Sequence, residues 1–454
     1  MKKSLYISLL LIVLFSVISC EDMIEINLPT DQINTHSVFK DKQNAIAALN
    51  NLYINLRQTS IFSGNAQGLG TRLGLYTDEL DVISISQTSE GYILYNNLVN
   101  PSSVLLTNIW DVSYSHIYAI NSFIEGVSNS TGISLEDQTQ LNAEAYILRA
   151  MYYQALTQIF GDIPYTITTN HKQNTTIKKT PYHGVLDLIE QDLLQANEIM
   201  SYNYKSSNKY FPNKAVAELI LSKNYLLQKQ YDKAELYSKK VLDNPLYALE
   251  NNIEQVFKKT SKSTIWNMSN SSPIAATFEA RNYVILTDSW GLKLSNSLIN
   301  SFSDNDLRKI HWTNLYTPTE TIYAYKYKNS PTNNMDENSI LFRLEEAYFI
   351  ITEALIYQNK EKEAIYYLNS IRQRANLSPL PNTLSKEEAI MSMLQEAQKE
   401  FFLEHGRRFF DLKRNGKLSL LKNTKPNWQD KHALLPYPEK ELLINPNLNP
   451  QNEY

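Results

Sequence analysis

Residues 343–374 read RLEEAYFIITEALIYQNKEKEAIYYLNSIRQR, and this stretch decides the class of fold. Its apolar residues recur every three or four positions, which is the spacing of one face of an amphipathic helix. Residues 358–360 interrupt the pattern and the same spacing then resumes, so the stretch predicts a hairpin of two helices. The stripe residues are Leu344, Ala347, Tyr348, Ile351 and Leu355 in the first helix and Ala364, Tyr367, Leu368 and Ile371 in the second.

A second helical hairpin is predicted in residues 215–245, which read AVAELILSKNYLLQKQYDKAELYSKKVLDNP. Small and large residues alternate here in an order that resembles the tetratricopeptide pattern, in which small residues let two helices approach and large ones fill the next groove. Neither hairpin is followed by another at a regular period, so we interpret them as interrupted repeats that build a scaffold. The positions that carry the pattern are Leu221, Ser222, Tyr225, Tyr231, Ala234 and Val241.

Helical periodicity covers residues 41–250 and 339–420, and two stretches break it. One is residues 63–100, and the other is residues 251–338, which hold three of the five tryptophans. Long irregular stretches inside a compact domain are usually functional or disordered, and aromatic richness favours function. Because no Pro, Gly or Ser linker divides the chain, residues 41–454 are predicted to form one domain, with residues 421–454 as an extended C-terminal segment.

Composition excludes several classes of function. The chain has 43 basic and 47 acidic residues, a net charge of −4, so it is not expected to bind nucleic acid by charge. Only 12 glycines occur, and neither phosphate-binding glycine motif is present. The seven histidines form no close pair, so we predict neither a metal site nor a cofactor.

The single cysteine of the chain, Cys20, lies at the end of an apolar run in residues 14–22, LFSVISCED. A disulfide within the chain is excluded because it needs two thiols. Lys2 and Lys3 followed by a short apolar run are typical of a secretory signal, here residues 1–19, and an uncleaved membrane anchor is the weaker alternative. The residues before Cys20 resemble a bacterial lipobox, which implies lipidation of Cys20 and a tether in residues 20–40.

The chain as a whole resembles the SusD/RagB family of nutrient-binding lipoproteins of Bacteroidetes. It departs from the family pattern at Ala397, where an arginine is usual, and at His405 and Arg407, which flank Gly406. The segments that carry the resemblance are CEDMIEINLP (20–29), NIWDVSYSHIYAIN (108–121), AEAYILRAMYYQALTQIFGDIPY (143–165), TEA (352–354), EFFLEHGRRFFDLKRNG (400–416) and LLPYPEKELLINPNLNPQNEY (434–454).

The resemblance implies an all-α fold, with tetratricopeptide-like helices on one side and a loop-rich ligand-binding face on the other. It also implies a lipid-anchored protein of the outer membrane that faces the exterior, covers a TonB-dependent, SusC-like transporter and captures glycans or peptides. The resemblance further implies that the protein is not an enzyme.

We expect the ligand site in the two irregular stretches, because sugar rings and peptide side chains lie well on aromatic faces while polar groups fix their orientation. The predicted aromatic platforms are Tyr92, Tyr95, Trp290 and Trp312, and the predicted polar partners are Arg72, Asp78, Asn96 and Arg281.

Two other functions stay open at this point. A glycoside hydrolase needs paired carboxylates, and Glu404 and Asp411 would lie about 10 Å apart on one helix, slightly too far. We interpret Glu404 with Arg408 and Arg407 with Asp411 as structural ion pairs, since both are spaced i, i+4. A helical scaffold that binds only proteins would explain the hairpins but leaves the aromatic stretch unexplained.

Overall fold

The computed structural model describes residues 38–83, 86–288, 291–330 and 333–454, and α-helices dominate it. The first half of the scaffold contains α1 (Lys42–Gln58), α2 (Leu69–Tyr76), α3 (Glu90–Tyr95), α4 (Val104–Ser128), α5 (Leu135–Phe160), α6 (His171–Asn174), α7 (Tyr182–Ile199), α8 (Lys214–Leu227) and α9 (Tyr231–Leu242). The second half contains α10 (Phe278–Tyr283), α11 (Asn296–Ser301), α12 (Leu307–Trp312), α13 (Glu345–Tyr357), α14 (Glu361–Arg374), α15 (Lys386–Phe401), α16 (Arg407–Arg414) and α17 (Glu439–Ile444).

Both predicted hairpins are present, as α8 with α9 and as α13 with α14, and α9 packs on α13. The turn of each hairpin has a residue in the left-handed conformation, Lys229 with φ of 60° and Asn359 with φ of 59°, so the two hairpins share their turn geometry. The rings of Tyr231 and Tyr357 stack 4.8 Å apart between them. The all-α prediction with tetratricopeptide-like hairpins is therefore confirmed.

In the part of the chain that the structure describes, three short antiparallel strand pairs interrupt the helices and connect distant parts of the sequence. Strand β1 (Leu80–Val82) pairs with β3 (Leu292–Leu294), so the two irregular stretches meet. Strand β2 (Thr264–Met268) pairs with β6 (Ser339–Arg343), and β4 (Thr313–Tyr316) forms a hairpin with β5 (Thr321–Ala324). Periodicity does not detect such short strands, and the irregular stretches also contain short helices that we did not predict.

A buried ion network joins residues 251–338 to the helical scaffold. Glu400 on α15 accepts hydrogen bonds from Arg343 at 2.6 Å and from Arg374 at 2.5 Å. Arg308 on α12 lies 2.8 Å from Glu396 and 3.4 Å from Glu400. All of these side chains are almost fully buried, so the network fixes α12, β6, α14 and α15 to one another.

The junction between α15 and α16 differs from the prediction. The chain leaves the helix after Phe401, and Leu403, His405 and Gly406 have positive φ, so Glu404 and Asp411 do not share a helix. The predicted Glu404–Arg408 pair is wrong because Glu404 binds Lys326 at 2.6 Å and Arg343 at 2.9 Å. The Arg407–Asp411 pair is confirmed at 2.9 Å.

The C-terminal segment was predicted to be extended, but it contains α17 and several 3-10 turns. Among the described residues, no helix is long and apolar enough to span a membrane. Cys20 and the signal and tether segments before residue 38 lie outside the described residues.

Candidate ligand-binding site

The β1–β3 ladder brings the two irregular stretches together at one surface. Asp81 lies opposite Lys293 in this ladder, and the Ile83 amide donates a hydrogen bond to the Gly291 carbonyl oxygen at 2.9 Å. Strand β5 packs beside β3, so the β4–β5 hairpin borders the same surface. We call this surface, formed by residues 80–83, 90–96, 291–294 and 313–325, the loop face.

Helix α3 presents two of the predicted aromatic platforms on the loop face. Ser89 caps the helix by accepting a hydrogen bond from the Tyr92 amide, and Asn96 ends it by donating to the Tyr92 carbonyl oxygen at 3.0 Å. Tyr92 and Tyr95 are three residues apart, so their rings lie on neighbouring positions of one helix face. Both are half-exposed, as is Asn96, so the structure brings three of the predicted site residues together.

Tyr95 is held by groups that the sequence did not indicate. The ammonium of Lys425 lies 3.8 Å from the centre of the Tyr95 ring and donates a hydrogen bond to the Tyr95 carbonyl oxygen. Lys425 also donates to the Leu75 carbonyl oxygen at 2.8 Å, and burial lowers its pKa to about 8. Partial burial and a hydrogen bond to Asp81 raise the pKa of the Tyr95 hydroxyl. The ring is therefore fixed before any ligand arrives.

Arg72 was predicted to contact the ligand, and this is wrong. Its guanidinium side chain is only 3% exposed and holds both carboxylate oxygens of Glu90, at 2.6 and 3.2 Å. Arg72 lies on α2 and Glu90 begins α3, so this pair attaches the aromatic helix to the scaffold. Its role is to position α3.

Trp312 and Asp78 are also absent from the loop face. Trp312 is 1% exposed and its indole donates a hydrogen bond to the Ile253 carbonyl oxygen at 3.0 Å, so it fills the core beneath α12 and is not a platform. Asp78 is buried and binds Arg408 through two hydrogen bonds of 2.9 Å. Large apolar rings and paired charges are buried for reasons of packing that a local sequence does not reveal.

The remaining predicted residues are Arg281 and Trp290. Arg281 on α10 is exposed and lies 5.7 Å from the Phe278 ring centre, so it stays a candidate ligand contact. Trp290 lies outside the described residues.

The loop face also contains aromatic and apolar groups that were not predicted. Tyr316 and Tyr325 of the hairpin region are half-exposed, and Ile83 and Leu315 are exposed. A hydrogen bond from the Tyr316 hydroxyl to Asp288 raises the pKa of that tyrosine. The face therefore offers several ring surfaces interspersed with charged groups, which suits a long polar ligand better than a small apolar one.

Carboxyl groups with raised pKa values are candidates for acid–base chemistry. Burial raises the pKa of Glu279 to about 7, and it lines a cavity of about 30 Å³ together with Tyr283 and Lys326. Such a volume holds a water molecule but not a sugar ring. Glu79, whose pKa burial raises to about 8, accepts a hydrogen bond from the Leu403 amide.

A second cavity, of about 110 Å³, lies beside α16, and its carboxylates are neutralised by cations. Glu346 and Asp411 both pair with Arg407, and Glu404 pairs with Lys326 and Arg343. Within the described ranges, no group of three or more His, Cys, Asp or Glu side chains could hold a metal ion.

The helical hairpins and the aromatic loop face define a helical-repeat protein with one surface rich in aromatic side chains. The model of the SusD family matches residues 162–429, and a second model, described as starch-binding and associating with the outer membrane, matches residues 30–226. The chain belongs to the SusD family of Bacteroidetes proteins.

Relatives of known sequence match over nearly their whole length. SusD-like protein P2 of Formosa agariphila is 24% identical, over 97% of this chain and 98% of that protein. SusD-like protein P38 of the same organism is 25% identical, over 100% of this chain and 99% of that protein.

Solved structures share the fold. A SusD superfamily protein from Bacteroides vulgatus has a TM-score of 0.79 at 20% identity and covers 91% of this chain and 99% of its own. A laminarin-binding SusD-like protein has a TM-score of 0.76 at 20% identity, with 91% and 99% covered. Surface glycan-binding protein A of Bacteroides thetaiotaomicron has a TM-score of 0.74 at 18% identity, with 92% and 100% covered.

Proposed function

We propose that the loop face binds an oligomeric nutrient, a glycan rather than a peptide, and presents it for import without altering it chemically. The observation that carries this proposal is the pair of half-exposed rings of Tyr92 and Tyr95 on one helix, of which the Tyr95 ring is held by Lys425. A rigid aromatic surface binds flat sugar faces at a low cost in conformational entropy. The laminarin-binding and glycan-binding neighbours support the choice of a carbohydrate.

A hydrolase and a protein-binding scaffold are the competing functions. The cavities at Glu279 and beside α16 offer either too little room or carboxylates already paired with cations, which favours binding over hydrolysis. A pure scaffold gives no reason for aromatic rings that are held half-exposed at the loop face.

The direct test is binding by the purified protein to a panel of neutral and acidic polysaccharides and peptides, followed by calorimetry. We expect one class of glycan to bind, with no new reducing ends after long incubation. New reducing ends would favour the hydrolase. Binding of peptides alone would identify the ligand as a peptide and not a glycan, and no binding to any member of the panel would favour the scaffold.

We further propose that the protein is anchored by a lipid on Cys20, faces the cell exterior and works with a TonB-dependent, SusC-like transporter. The lipobox-like sequence and the outer-membrane association described for the matching family model support this arrangement. Two or three acyl chains on one cysteine hold a protein durably, because each buried methylene contributes about 0.8 kcal/mol.

Replacing Cys20 by alanine should move the protein from the membrane fraction to the soluble fraction. The wild-type protein, extracted in mild detergent, should bring a transporter barrel with it, and surface proteolysis of whole cells should degrade it. A Cys20→Ala protein that stays in salt-washed membranes would contradict lipid anchoring, and a wild-type protein that is purified alone would contradict the transporter partnership.

A further inference from the structure

A cavity of about 320 Å³ lies on the scaffold next to Asp78, between α11, α15, the start of α16 and the 3-10 turn Leu418–Asn423. Its size falls within the range of about 300–1,000 Å³ that is typical of small-molecule sites. Tyr92, Tyr95 and Asn96 of the loop face do not line it. The cavity is therefore separate from the loop face and is lined by different residues.

Gln398 lines this cavity with a polar side chain. The side chain lines the cavity and the residue is only 6% exposed, and its amide nitrogen has no hydrogen-bond partner among the described residues. A buried donor without a partner is unfavourable, and nearly all buried polar groups in proteins are paired. An acceptor that reached this amide from the cavity would satisfy it.

Two cationic side chains that line the cavity, Arg408 and Lys399, have N–H donors that their protein partners do not fully use. Arg408 uses its Nε and one terminal nitrogen on Asp78, and its other terminal nitrogen reaches only the Leu394 carbonyl oxygen, at 3.5 Å. Lys399 donates one hydrogen bond, of 2.5 Å, to Glu396, although an ammonium has three donors. Together with Gln398, these groups place an excess of hydrogen-bond donors around one cavity.

The remaining walls combine hydroxyl groups with apolar side chains. Ser297 and Ser301 on α11 line one side, and Leu394 and Leu420 line another. Sugar recognition uses this combination, because ring carbons pack on apolar groups while the hydroxyl oxygens accept and donate hydrogen bonds.

We propose that this cavity is a second binding site, which takes one monosaccharide or a polyol of similar size. Its hydroxyl oxygens accept hydrogen bonds from Gln398, Lys399 and Arg408, and its carbon skeleton lies against Leu394 and Leu420. The site goes beyond the glycan binding proposed for the loop face, since its residues are different and its volume admits a single small ligand.

The test uses the full mature protein and measures binding of glucose, galactose, mannose, xylose and sorbitol by saturation-transfer NMR and calorimetry. For any probe that binds, Gln398→Leu should weaken the affinity about tenfold or more, because it removes the donor and keeps the shape. The melting temperature should not fall, since the variant also removes an unpaired buried polar group. Ser301→Trp, at the exposed rim, should block binding by filling the mouth.

Two controls separate this proposal from the function of the loop face. Asn300→Trp places the same ring on an exposed neighbour in α11 that does not line the cavity, and it should leave binding unchanged. Tyr92→Ala should leave monosaccharide binding unchanged even if it weakens binding of a polysaccharide. The proposal is overturned if no probe binds the wild-type protein at high millimolar concentration, or if Gln398→Leu and Ser301→Trp both bind like the wild type.

Discussion

Glu400→Gln should lower the free energy of unfolding by about 3–5 kcal/mol, the effect typical of removing one partner from a buried ion network. Glu400 is fully buried and receives hydrogen bonds from Arg343 and Arg374, with Arg308 at 3.4 Å. Glutamine keeps the shape of the side chain but removes the carboxylate charge that three guanidinium groups share. Urea unfolding followed by circular dichroism would measure the loss.

The matched control is Glu387→Gln on the same helix. Glu387 pairs with Lys417 at 2.5 Å, but its side chain is 64% exposed, and exposed pairs contribute about 0–1 kcal/mol. If the two variants were equally stable, the buried network would not connect residues 251–338 to the scaffold as we infer.

Acid should weaken the same network. Although burial opposes it, Arg308 and Lys399 lower the pKa of Glu396 to about 2, and Arg374, Arg343 and Arg308 lower the pKa of Glu400. Because folding lowers both pKa values, the stabilisation is complete above the value of about 4.3 of an unfolded glutamate and is lost as the pH falls toward the folded values. The difference between the wild-type protein and Glu400→Gln should therefore shrink below about pH 4.

The scaffold was predictable because helical periodicity is local and repeats over whole turns. Leu344, Ala347, Ile351 and Leu355 form the buried stripe that the spacing indicated. The junction after Phe401 was not predictable in this way, since Leu403 and His405 adopt left-handed conformations that are held by distant groups. One of these groups is Lys326, which donates hydrogen bonds to the Glu400 and Phe402 carbonyl oxygens.

The candidate site was predictable only in part, for a related reason. Tyr92, Tyr95 and Asn96 lie within one short segment, so composition and irregularity pointed to them together. Exposure, however, is decided by partners far along the chain: Glu90 binds Arg72, Arg408 binds Asp78, and the core around Ile253 encloses Trp312. Lys425 was missed because it lies 330 residues from Tyr95, and no local pattern marks it.

The double variant Tyr92→Ala/Tyr95→Ala should weaken glycan binding about a hundredfold, while the melting temperature stays within a few degrees of the wild type. Each ring contributes on the order of 1.4 kcal/mol when a sugar stacks on it, which is about tenfold in affinity. Both rings are half-exposed and neither belongs to the fully buried core, although Tyr95 packs against it, so we expect only a small loss of stability. Isothermal titration calorimetry with the polysaccharide found in the panel would measure the loss.

Two further variants locate the cause of that loss. Tyr95→Phe keeps the ring above Lys425 and removes only the hydroxyl that binds Asp81, so it should retain most of the affinity if stacking dominates. Tyr118→Ala removes a tyrosine that is 53% exposed on α4, outside the loop face, and should bind like the wild type. Undiminished binding by the double variant would place the glycan elsewhere on the protein. A loss in Tyr118→Ala equal to that in the double variant would show that any exposed tyrosine supports binding, and the fixed geometry of α3 would then explain nothing.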